Sequence, residues 1–407
     1  MQSKKSNPLD PLEIKKIKCV ACGVRKMCFK MEGTIGKYPN KNWIVVVFCD
    51  VINAINVINV IKNNEEEEQE EQERLISFYQ EEKQCYETIV NAGRSKNINM
   101  DEFVALPVCF HEEIVASDIN VLFETMKNEM EIYNEQMLQA GNEEFMMKTS
   151  TSSLLTADTM KCMFFTYEGL DLTMVVPTHH TEGFTIPVEQ VLLNVVHKVD
   201  RMHRYHILHQ DIKPENILLL CEPAFDIKFI DVGTLSLFQD APLLMMPSFW
   251  KTCTDIFPTN LFSLQSYWMK TQCVGTLLYT PPERLYPKMV LETVLQHKNN
   301  KKNKYEFSYA EIMDAVLAID RWSLGITILQ ILFYEEFQKW RNNVEEKGVS
   351  FFMYLWIVDL VQQEGFGKSP SFPLKNANAW VNCVRSCLQI NPFHRRLFTS
   401  SFIHKMG

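Results

Sequence analysis

The pattern of apolar and polar residues changes character before residue 190. Upstream, the stretch Trp43–Lys62 is rich in Val and Ile, and Phe103–Phe110 and Lys161–Tyr167 are shorter apolar runs. Residues of this kind favour β-strands. Downstream, apolar residues recur at the spacing of one helix face, at Val191, Leu192, Val195, Val196, Val199 and Met202. The pattern therefore predicts a strand-rich first part and a helix-rich second part.

The second part contains several predicted helices. They cover Val188–His206, Ile319–Phe333, Phe351–Gln362 and Asn378–Leu388. A further helix with a highly charged beginning is predicted from Asn63 to Val90. Segregated strands and helices predict an α+β chain with two lobes, at 1–168 and 169–407.

Polar, low-complexity stretches interrupt this pattern and predict insertions. Two lie in the first lobe, near 63–74 and 115–159, and two in the second, near 240–272 and 297–304.

Composition narrows the class of protein. The chain has 407 residues, 46% of them hydrophobic, and a net charge of −9. The negative charge argues against a partner that is bound by neutralising phosphates, so we expect no nucleic-acid partner. The longest strongly apolar stretch, Trp43–Cys49, is too short to span a bilayer, and no signal peptide is visible. We expect no membrane span, with a cytoplasmic location as the default.

The segment His209–Leu219 carries the strongest candidate chemistry. Within it, Asp211 and Lys213 place a carboxylate beside a cation, and Asn216 adds an amide oxygen. Asp231 ends the next apolar run. Oxygen ligands of this kind suit Mg²⁺, which is bound by one or two carboxylates together with substrate phosphates. A base, a cation and a metal clamp are what phosphoryl transfer requires.

This segment resembles the catalytic loop of eukaryotic protein kinases, H-R-D-x-K-x-x-N, which is followed by D-F-G. Three later motifs resemble that family in the same order: Gly275–Glu283 the end of the activation segment, Asp320–Gly325 the helix that anchors the catalytic loop, and Asn391–Arg395 a late arginine motif. The resemblance implies a bilobal kinase fold with a small strand-rich N-terminal lobe and a larger helical C-terminal lobe.

The resemblance also implies roles for individual residues. Asp211 would accept the proton of the substrate hydroxyl, and Lys213 would neutralise the transferred phosphate. Asn216 and Asp231 would hold Mg²⁺ and contact the nucleotide.

Three further roles follow from the same resemblance. Thr276 would tie the activation segment to Asp211 and Lys213. Glu283 and Arg395 would form a buried ion pair, and Asp320 would brace the backbone of the catalytic loop.

Two residues of the loop region depart from the family signature. Gln210 stands where the family usually has Arg, so we expect that activity does not depend on a phosphorylated activation loop. Val232 replaces the usual Phe, which is a milder change because that position requires an apolar side chain.

The first lobe matches the family less well. Phe165 and Tyr167 occupy the gatekeeper and hinge places of the resemblance. Lys62, which ends the run Val60-Ile61-Lys62, is the candidate ATP-phosphate lysine, with Glu82 as its helix partner. Gly33–Lys37 is only a partial glycine loop, and a plain turn is an equal alternative.

An alternative stays open for the lysine. The stretch Trp43–Phe48 is the better strand and contains no lysine. If it occupies the lysine strand's place, Lys62 is a solvated residue.

Two functions are therefore compared. The first is a Mg-ATP-dependent kinase that phosphorylates Ser or Thr of a protein substrate whose identity the sequence does not give. The alternative is a pseudokinase, in which the same fold serves as a binding or scaffolding module. The retained set Asp211, Lys213, Asn216 and Asp231 favours the enzyme, and the eroded first lobe favours the scaffold.

Overall fold

A computed structural model of the chain describes residues 13–22, 26–35, 38–48, 65–95, 97–114, 116–139, 160–166, 170–175, 186–220, 225–232, 236–237, 276–299 and 308–397. Contacts group these residues into two compact units. Unit 1 is formed from residues 1–101 and 105–168, and unit 2 from residues 102–104 and 169–407.

Unit 1 is built on a five-stranded antiparallel sheet. The strands are β1 (Glu13–Cys22), β2 (Lys26–Ile35), β3 (Tyr38–Phe48), β4 (Cys109–Phe110) and β5 (Lys161–Thr166). Their order in the sheet is β1-β2-β3-β5-β4. Two long helices accompany the sheet, α1 (Glu65–Ser95) and α2 (Ala116–Gln139).

The strands follow the alternation expected of a sheet that is covered on one face. In β3, Trp43, Val45 and Val47 are fully buried, whereas Ile44 and Val46 between them are half-buried. The fully buried residues share an apolar core with Leu122 of α2 and its neighbours in that helix. Burial of each such side chain contributes about 1.5–3 kcal/mol, so the packing of α2 on the sheet holds this unit together.

Helix α2 falls within the stretch near 115–159 that we expected to be an insertion. A signal for it was present in the sequence, because Ile119, Leu122 and Met126 recur at helical spacing and are buried. The remainder of that stretch, 140–159, lies outside the described residues.

One strand prediction is confirmed in part and one requires correction. Strand β3 covers Trp43–Phe48, and residues 49–64, which include the rest of the Val/Ile-rich stretch, lie outside the described part of the chain. Of Phe103–Phe110, only Cys109–Phe110 forms a strand of the sheet. Val104 instead makes a bridge to Phe229 and belongs to unit 2, because the backbone N–H of Phe229 donates to the carbonyl of Phe103 at 2.8 Å.

Gly33 lies inside β2, so the described part of the partial glycine loop, residues 33–35, is the end of that strand. A Cβ atom at this position would lie 2.0 Å from the carbonyl oxygen of Glu13 in β1. The close approach of two strands therefore explains this glycine. Gly36 and Lys37 lie outside the described residues.

Unit 2 is mainly helical. Its helices are α3 (Val188–Arg204), α4 (Pro282–Leu285), α5 (Pro287–Asn299), α6 (Tyr309–Leu332), α7 (Tyr334–Lys347), α8 (Phe351–Gln362) and α9 (Ala377–Cys387). Its short strands are β6 (Leu170–Asp171), β7 (Ile207–Leu208), β8 (Ile217–Leu219), β9 (Ile227–Phe229) and β10 (Ser236–Leu237). The predicted helices and the α+β class are confirmed.

Helix α6 is the central element of unit 2. Ser308 caps its first turn by accepting from the backbone N–H of Glu311, whose carboxylate accepts in return from the N–H of Ser308. Gly325 permits α9 to pack closely, because a Cβ atom there would lie 2.7 Å from the Cβ atom of Cys387. Residues 310–332 are long and apolar enough to cross a membrane, but 94% of their apolar window is buried inside the fold, as in a core helix.

Candidate active site

The loop that carries Asp211 is held by a buried carboxylate. After β7, the chain passes through residues 209–213 and a short 3-10 helix, Pro214–Asn216, into β8. The backbone N–H of His209 donates to Oδ2 of Asp320 at 2.8 Å, and that of Gln210 donates to Oδ1 at 2.7 Å. Asp320 projects from α6 and is fully buried. The predicted bracing of the loop by Asp320 is confirmed.

The protonation of Asp320 follows from its partners. Burial alone raises the pKa of a carboxyl group, but hydrogen bonds from His203 and from the backbone of His209 outweigh burial and lower the pKa of Asp320 below its usual value. Asp320 therefore stays ionised at neutral pH and can accept from both N–H groups.

His203, in the last turn of α3, donates from Nε2 to Asp320 at 3.3 Å. Burial lowers the pKa of His203, with Asp320 opposing the shift. His203 is therefore neutral at neutral pH, and its buried Nδ1 has no hydrogen-bond partner among the residues that the structure describes.

His209 is fixed as one tautomer by its two neighbours. Its Nε2 lies 3.0 Å from the carbonyl oxygen of Ile230, which can only accept, so Nε2 carries the proton. Its Nδ1 accepts from the backbone N–H of Asp211 at 3.3 Å. The ring therefore links the catalytic loop to the end of β9.

The carboxylate of Asp211 is oriented from three sides. Nδ2 of Asn216 donates to Oδ2 at 2.8 Å and to the backbone carbonyl of Asp211 at 2.9 Å. The backbone N–H of Thr276 donates to Oδ1 at 2.7 Å, and Nζ of Lys213 lies 3.0 Å from Oδ2. These contacts fix the orientation of the Asp211 carboxylate.

Thr276 connects this site to the segment Thr276–Glu283. Its hydroxyl accepts from Nζ of Lys213 and lies 3.5 Å from Oδ2 of Asp211. The structure therefore brings Asp211, Lys213 and Thr276 together, as the sequence predicts.

The segment that follows Thr276 is anchored by side chains from three helices. Ser323 of α6 donates to the carbonyl of Tyr279 at 2.9 Å, and Tyr354 of α8 donates to that of Thr280 at 2.8 Å. Trp340 of α7 donates from Nε1 to the carbonyl of Leu278 at 3.3 Å. Satisfied backbone carbonyls fix this segment beside Asp211.

Glu283 and Arg395 form the predicted buried ion pair, which is confirmed. The guanidinium donates to both carboxylate oxygens, at 2.6 and 2.7 Å, and both side chains are fully buried. Arg395 also donates to the carbonyl of Ala318 at 3.0 Å and lies over the ring of Trp322. The pair joins the end of the segment to the last part of the chain.

Asn216 and Asp231 supply an oxygen set that fits Mg²⁺. Asn216 uses its Nδ2 atom toward Asp211, which leaves its amide oxygen for a cation. The backbone carbonyl of Asn216 accepts from the N–H of Ile230 at 2.9 Å, and Asp231 is the next residue after Ile230. Asp231 is half-buried and has a left-handed backbone, with φ of 59°. A carboxylate and an amide oxygen are ligands that Mg²⁺ prefers.

In unit 1, the structure places Glu82 and Phe165 but not Lys62 and Tyr167, which lie outside the described residues. Glu82 is buried on the face of α1 that also buries Tyr79 and Tyr86. The ring of Tyr86 contacts that of Phe165, with centroids 5.7 Å apart. The side chain of Phe165 therefore lies on the side of the sheet where α1, with Glu82, packs.

The strand β3 lies between β2 and β5, and Ile44 is paired with Phe165. Phe48, four residues further along β3, contacts the ring of Tyr79 on α1 at 5.4 Å. Because side chains alternate along a strand, Ile44, Val46 and Phe48 share the α1 side. Over this stretch, that side of β3 is apolar, as expected if Trp43–Phe48 takes the place of the lysine strand.

Sequence reasoning missed the contacts of two residues, Glu112 and Arg284. Glu112 accepts from the hydroxyl of Tyr79 at 2.7 Å and from Nζ of Lys83 at 3.0 Å, which fastens α1 to the segment after β4. Arg284 donates to the amide oxygen of Gln210. A hint was available for the second contact only, because Gln210 departs from the signature.

The fold and the site define a class. A sheet-based unit and a helical unit, with the loop, the segment and the late ion pair in this order, are the features of a protein kinase. A family model described as protein kinase domain matches residues 61–405, and the chain belongs to that family, within the eukaryotic protein kinase superfamily. The match begins after β3, so the first three strands precede it.

Curated relatives agree with this membership. Dual specificity tyrosine-phosphorylation-regulated kinase 3 from Macaca fascicularis is 27% identical over 148 residues, covering 30% of this chain and 26% of that protein. The Homo sapiens protein of the same name is also 27% identical, with coverage of 30% and 25%. The 3-phosphoinositide-dependent protein kinase 1 from Arabidopsis thaliana is 28% identical over 141 residues, covering 34% of this chain and 20% of that protein. The chain thus spans about a quarter or less of the length of these relatives.

Proposed function

We propose that this chain is an active protein kinase that transfers the γ-phosphoryl group of ATP to Ser or Thr hydroxyls of a protein substrate. The orientation of Asp211 carries the proposal. Asn216, Thr276 and Lys213 fix its carboxylate from different directions. A scaffold has no physical need for a carboxylate that is positioned in this way.

The residues of the loop would act on different parts of the reaction. Asp211 would accept the proton of the attacking hydroxyl, and Lys213 would neutralise charge on the transferred phosphoryl group. Asn216 and Asp231 would hold Mg²⁺, which supplies charge neutralisation at the phosphates of ATP.

The contact between Lys213 and Thr276 supports Ser/Thr as acceptors, since by resemblance a lysine at this offset is typical of Ser/Thr-directed kinases. Two of the relatives are named dual specificity kinases. Peptides that carry Ser, Thr or Tyr in one sequence would compare the three acceptors directly, and we expect transfer to Ser and Thr.

Unit 1 would supply the remaining nucleotide contacts. Phe165 and Tyr167 would lie at the adenine side, and Lys62 would contact the phosphates with Glu82 as its partner. Glu82 is buried on the helix face that also buries Tyr79 and Tyr86, and the ring of Tyr86 contacts that of Phe165. Lys62 is the first lysine after β3 and lies three residues before α1 begins.

Transfer of label from γ-labelled ATP tests this function. The protein is incubated with a generic basic protein and either Mg²⁺ or Mn²⁺, and incorporation is compared with an Asp211→Asn variant. We expect incorporation by the wild-type protein alone. Absence of incorporation from well-folded protein with both metals would refute the enzymatic proposal.

A pseudokinase is the second candidate, and one observation favours it. The α1 side of β3 presents Ile44, Val46 and Phe48, so this stretch of the strand offers no cation to a phosphate. In a pseudokinase, the two units would serve to bind a protein partner. Binding of Mg-ATP separates the two candidates, since only the kinase requires it.

A further inference from the structure

A buried arginine contacts the catalytic loop at the residue that precedes Asp211. Arg284 lies in α4, directly after Glu283, and its side chain is fully buried. Its Nη2 atom donates to Oε1 of Gln210, which is 74 residues away in the chain and also buried. The contact therefore joins the end of the segment Thr276–Glu283 to the catalytic loop inside unit 2.

The backbone at Gln210 adopts a conformation that requires support. Its φ is 74°, in the left-handed region that residues other than glycine rarely adopt. Such a conformation persists where the surroundings hold it. Asp320 holds the backbone N–H of Gln210, and Arg284 holds its side chain. The next residue is Asp211, so support at Gln210 is support for the base.

The chemistry of the contact restricts which residue can stand at position 210. A guanidinium is always charged and has donors only, so its buried neighbour must accept. The amide oxygen of Gln210 accepts without a charge. An arginine at this position would present donors to donors and would bury a second positive charge against the first.

We propose that Arg284 is a positioning residue for the catalytic loop and that it acts through the amide oxygen of Gln210. Position 210 then requires a side chain that accepts a hydrogen bond. Arg284 therefore excludes from this position the arginine that the family signature has there. The connection between the loop and the segment is part of the folded chain and requires no phosphate on the segment.

A swap of the two residues tests the proposal on the full chain and does not depend on catalysis. The melting temperature is measured for Gln210→Arg, Arg284→Gln and the double variant that carries both changes. We expect Gln210→Arg to lower the melting temperature by about 5–10 °C, because it buries two like charges. The double variant restores a donor–acceptor pair with its members exchanged, and we expect it to recover at least half of that loss.

The control is Arg204→Gln, which changes an exposed arginine at the end of α3 and should leave the melting temperature within about 1 °C. A double variant whose loss equals the sum of the two single losses would overturn the proposal. If Gln210→Arg alone yields no folded protein, a folded double variant supports the proposal and an unfolded one contradicts it.

Two milder variants test the same contact without a second cation. Gln210→Glu retains an acceptor and adds a charge that complements Arg284, whereas Gln210→Met removes the acceptor at similar size. We expect Gln210→Glu to melt at least as high as the wild type and Gln210→Met to melt several degrees lower. Equal melting temperatures for these two variants would contradict the proposal.

The catalytic readout separates positioning from general stability and rests on the proposed function. In Arg284→Gln we expect kcat for phosphoryl transfer to fall at least fivefold while KM for ATP changes less than twofold, because Asp211 acts on the acceptor hydroxyl. An unchanged kcat per folded molecule would restrict Arg284 to a structural role. Absence of transfer by the wild type would refute the proposed function and leave the swap result standing.

Discussion

The loop that carries Asp211 and the strand β3 lie at the centres of their units, but they are built in opposite ways. The loop is buried through polar contacts whose members are far apart in sequence, such as Gln210 with Asp320. Strand β3 is buried through apolar contacts, with Trp43 and Val45 against α2. A buried polar arrangement is costly unless its members are satisfied, so the loop is the more specific indication of function.

The family match shows the same contrast. It covers residues 61–405 and therefore all of the described motifs of unit 2, but it begins after β3. Helix α2 covers the face of the sheet that contains Val47, and Tyr79 on α1 packs on the opposite side through Phe48. Unit 1 is thus organised around a packed apolar sheet, whereas unit 2 contains the sequence motifs of the family.

Substitution of the base is expected to have the largest effect. Asp211→Asn should lower phosphoryl transfer by about 10²–10⁴-fold, because an amide cannot accept the hydroxyl proton. Binding of Mg-ATP should stay within about twofold of the wild type, since Asp211 acts on the acceptor. Both quantities can be measured on one preparation by label transfer and calorimetry. Equal transfer by mutant and wild type would mean that the base lies elsewhere.

Breaking the buried ion pair is expected to have the second-largest effect, which is a loss of stability rather than of activity. Arg395→Ala should lower the free energy of unfolding by about 3–5 kcal/mol, because Glu283 is left buried without its partner. Denaturant unfolding measures the change. The matched control is Arg396→Ala, an exposed neighbour that contacts Asp314 at the surface, where less than about 0.5 kcal/mol is expected. Similar losses for the two variants would contradict the assignment.

The contribution of unit 1 to nucleotide binding is tested at Lys62. Because the described side chains of β3 on its α1 side, Ile44, Val46 and Phe48, include no cation, we expect an active kinase to obtain one elsewhere. We expect Lys62→Ala to weaken Mg-ATP about tenfold, which is the loss of one charge-assisted hydrogen bond. Lys127→Ala, at an exposed position of α2, is the control and should change nothing. Unaltered affinity in Lys62→Ala would favour the pseudokinase.

The smallest expected effect is the pH dependence of the free energy of unfolding. Because burial lowers the pKa of His203, the unfolded chain binds a proton there below about pH 6.5 while the folded protein does not. The contribution of His203 to the free energy of unfolding should therefore decrease as the pH is lowered from 7.5 to 5.5.

Replacement of His203 checks this sign. His203→Gln keeps an N–H donor for Asp320 but does not titrate, so its stability should depend less on pH than that of the wild type. His197→Gln, an exposed position of the same helix, should keep the dependence of the wild type. His111 in unit 1, whose pKa burial lowers to about 4, contributes to all three proteins alike.

The motifs of unit 2 could be predicted from the sequence because the residues of each motif are close together in the chain. The spacing of Asp211, Lys213 and Asn216 lies within one loop, and helical periodicity identified α3 directly. The contact between Gln210 and Arg284 was not predictable, because it joins residues 74 apart and depends on which side chains meet after folding.

In unit 1, composition predicted strands but not their place. The Val and Ile content of Trp43–Lys62 does not define the end of the strand, which the structure describes as far as Phe48. Only the register with β5 shows that Ile44 is paired with Phe165. The polar composition near 115–159 indicates an insertion, whereas the helical spacing of Ile119, Leu122 and Met126 indicates helix α2.

Binding of Mg-ATP to the well-folded full chain tests the central claim, that unit 2 carries a working phosphoryl-transfer site, most directly. If Asn216 and Asp231 hold Mg²⁺ as proposed, millimolar ATP should raise the melting temperature in the presence of Mg²⁺, as a ligand of the native state does. The increase should be much smaller without Mg²⁺ and in Asp231→Asn. No response to millimolar Mg-ATP in either the melting temperature or calorimetry would contradict the account and leave the chain as a binding module.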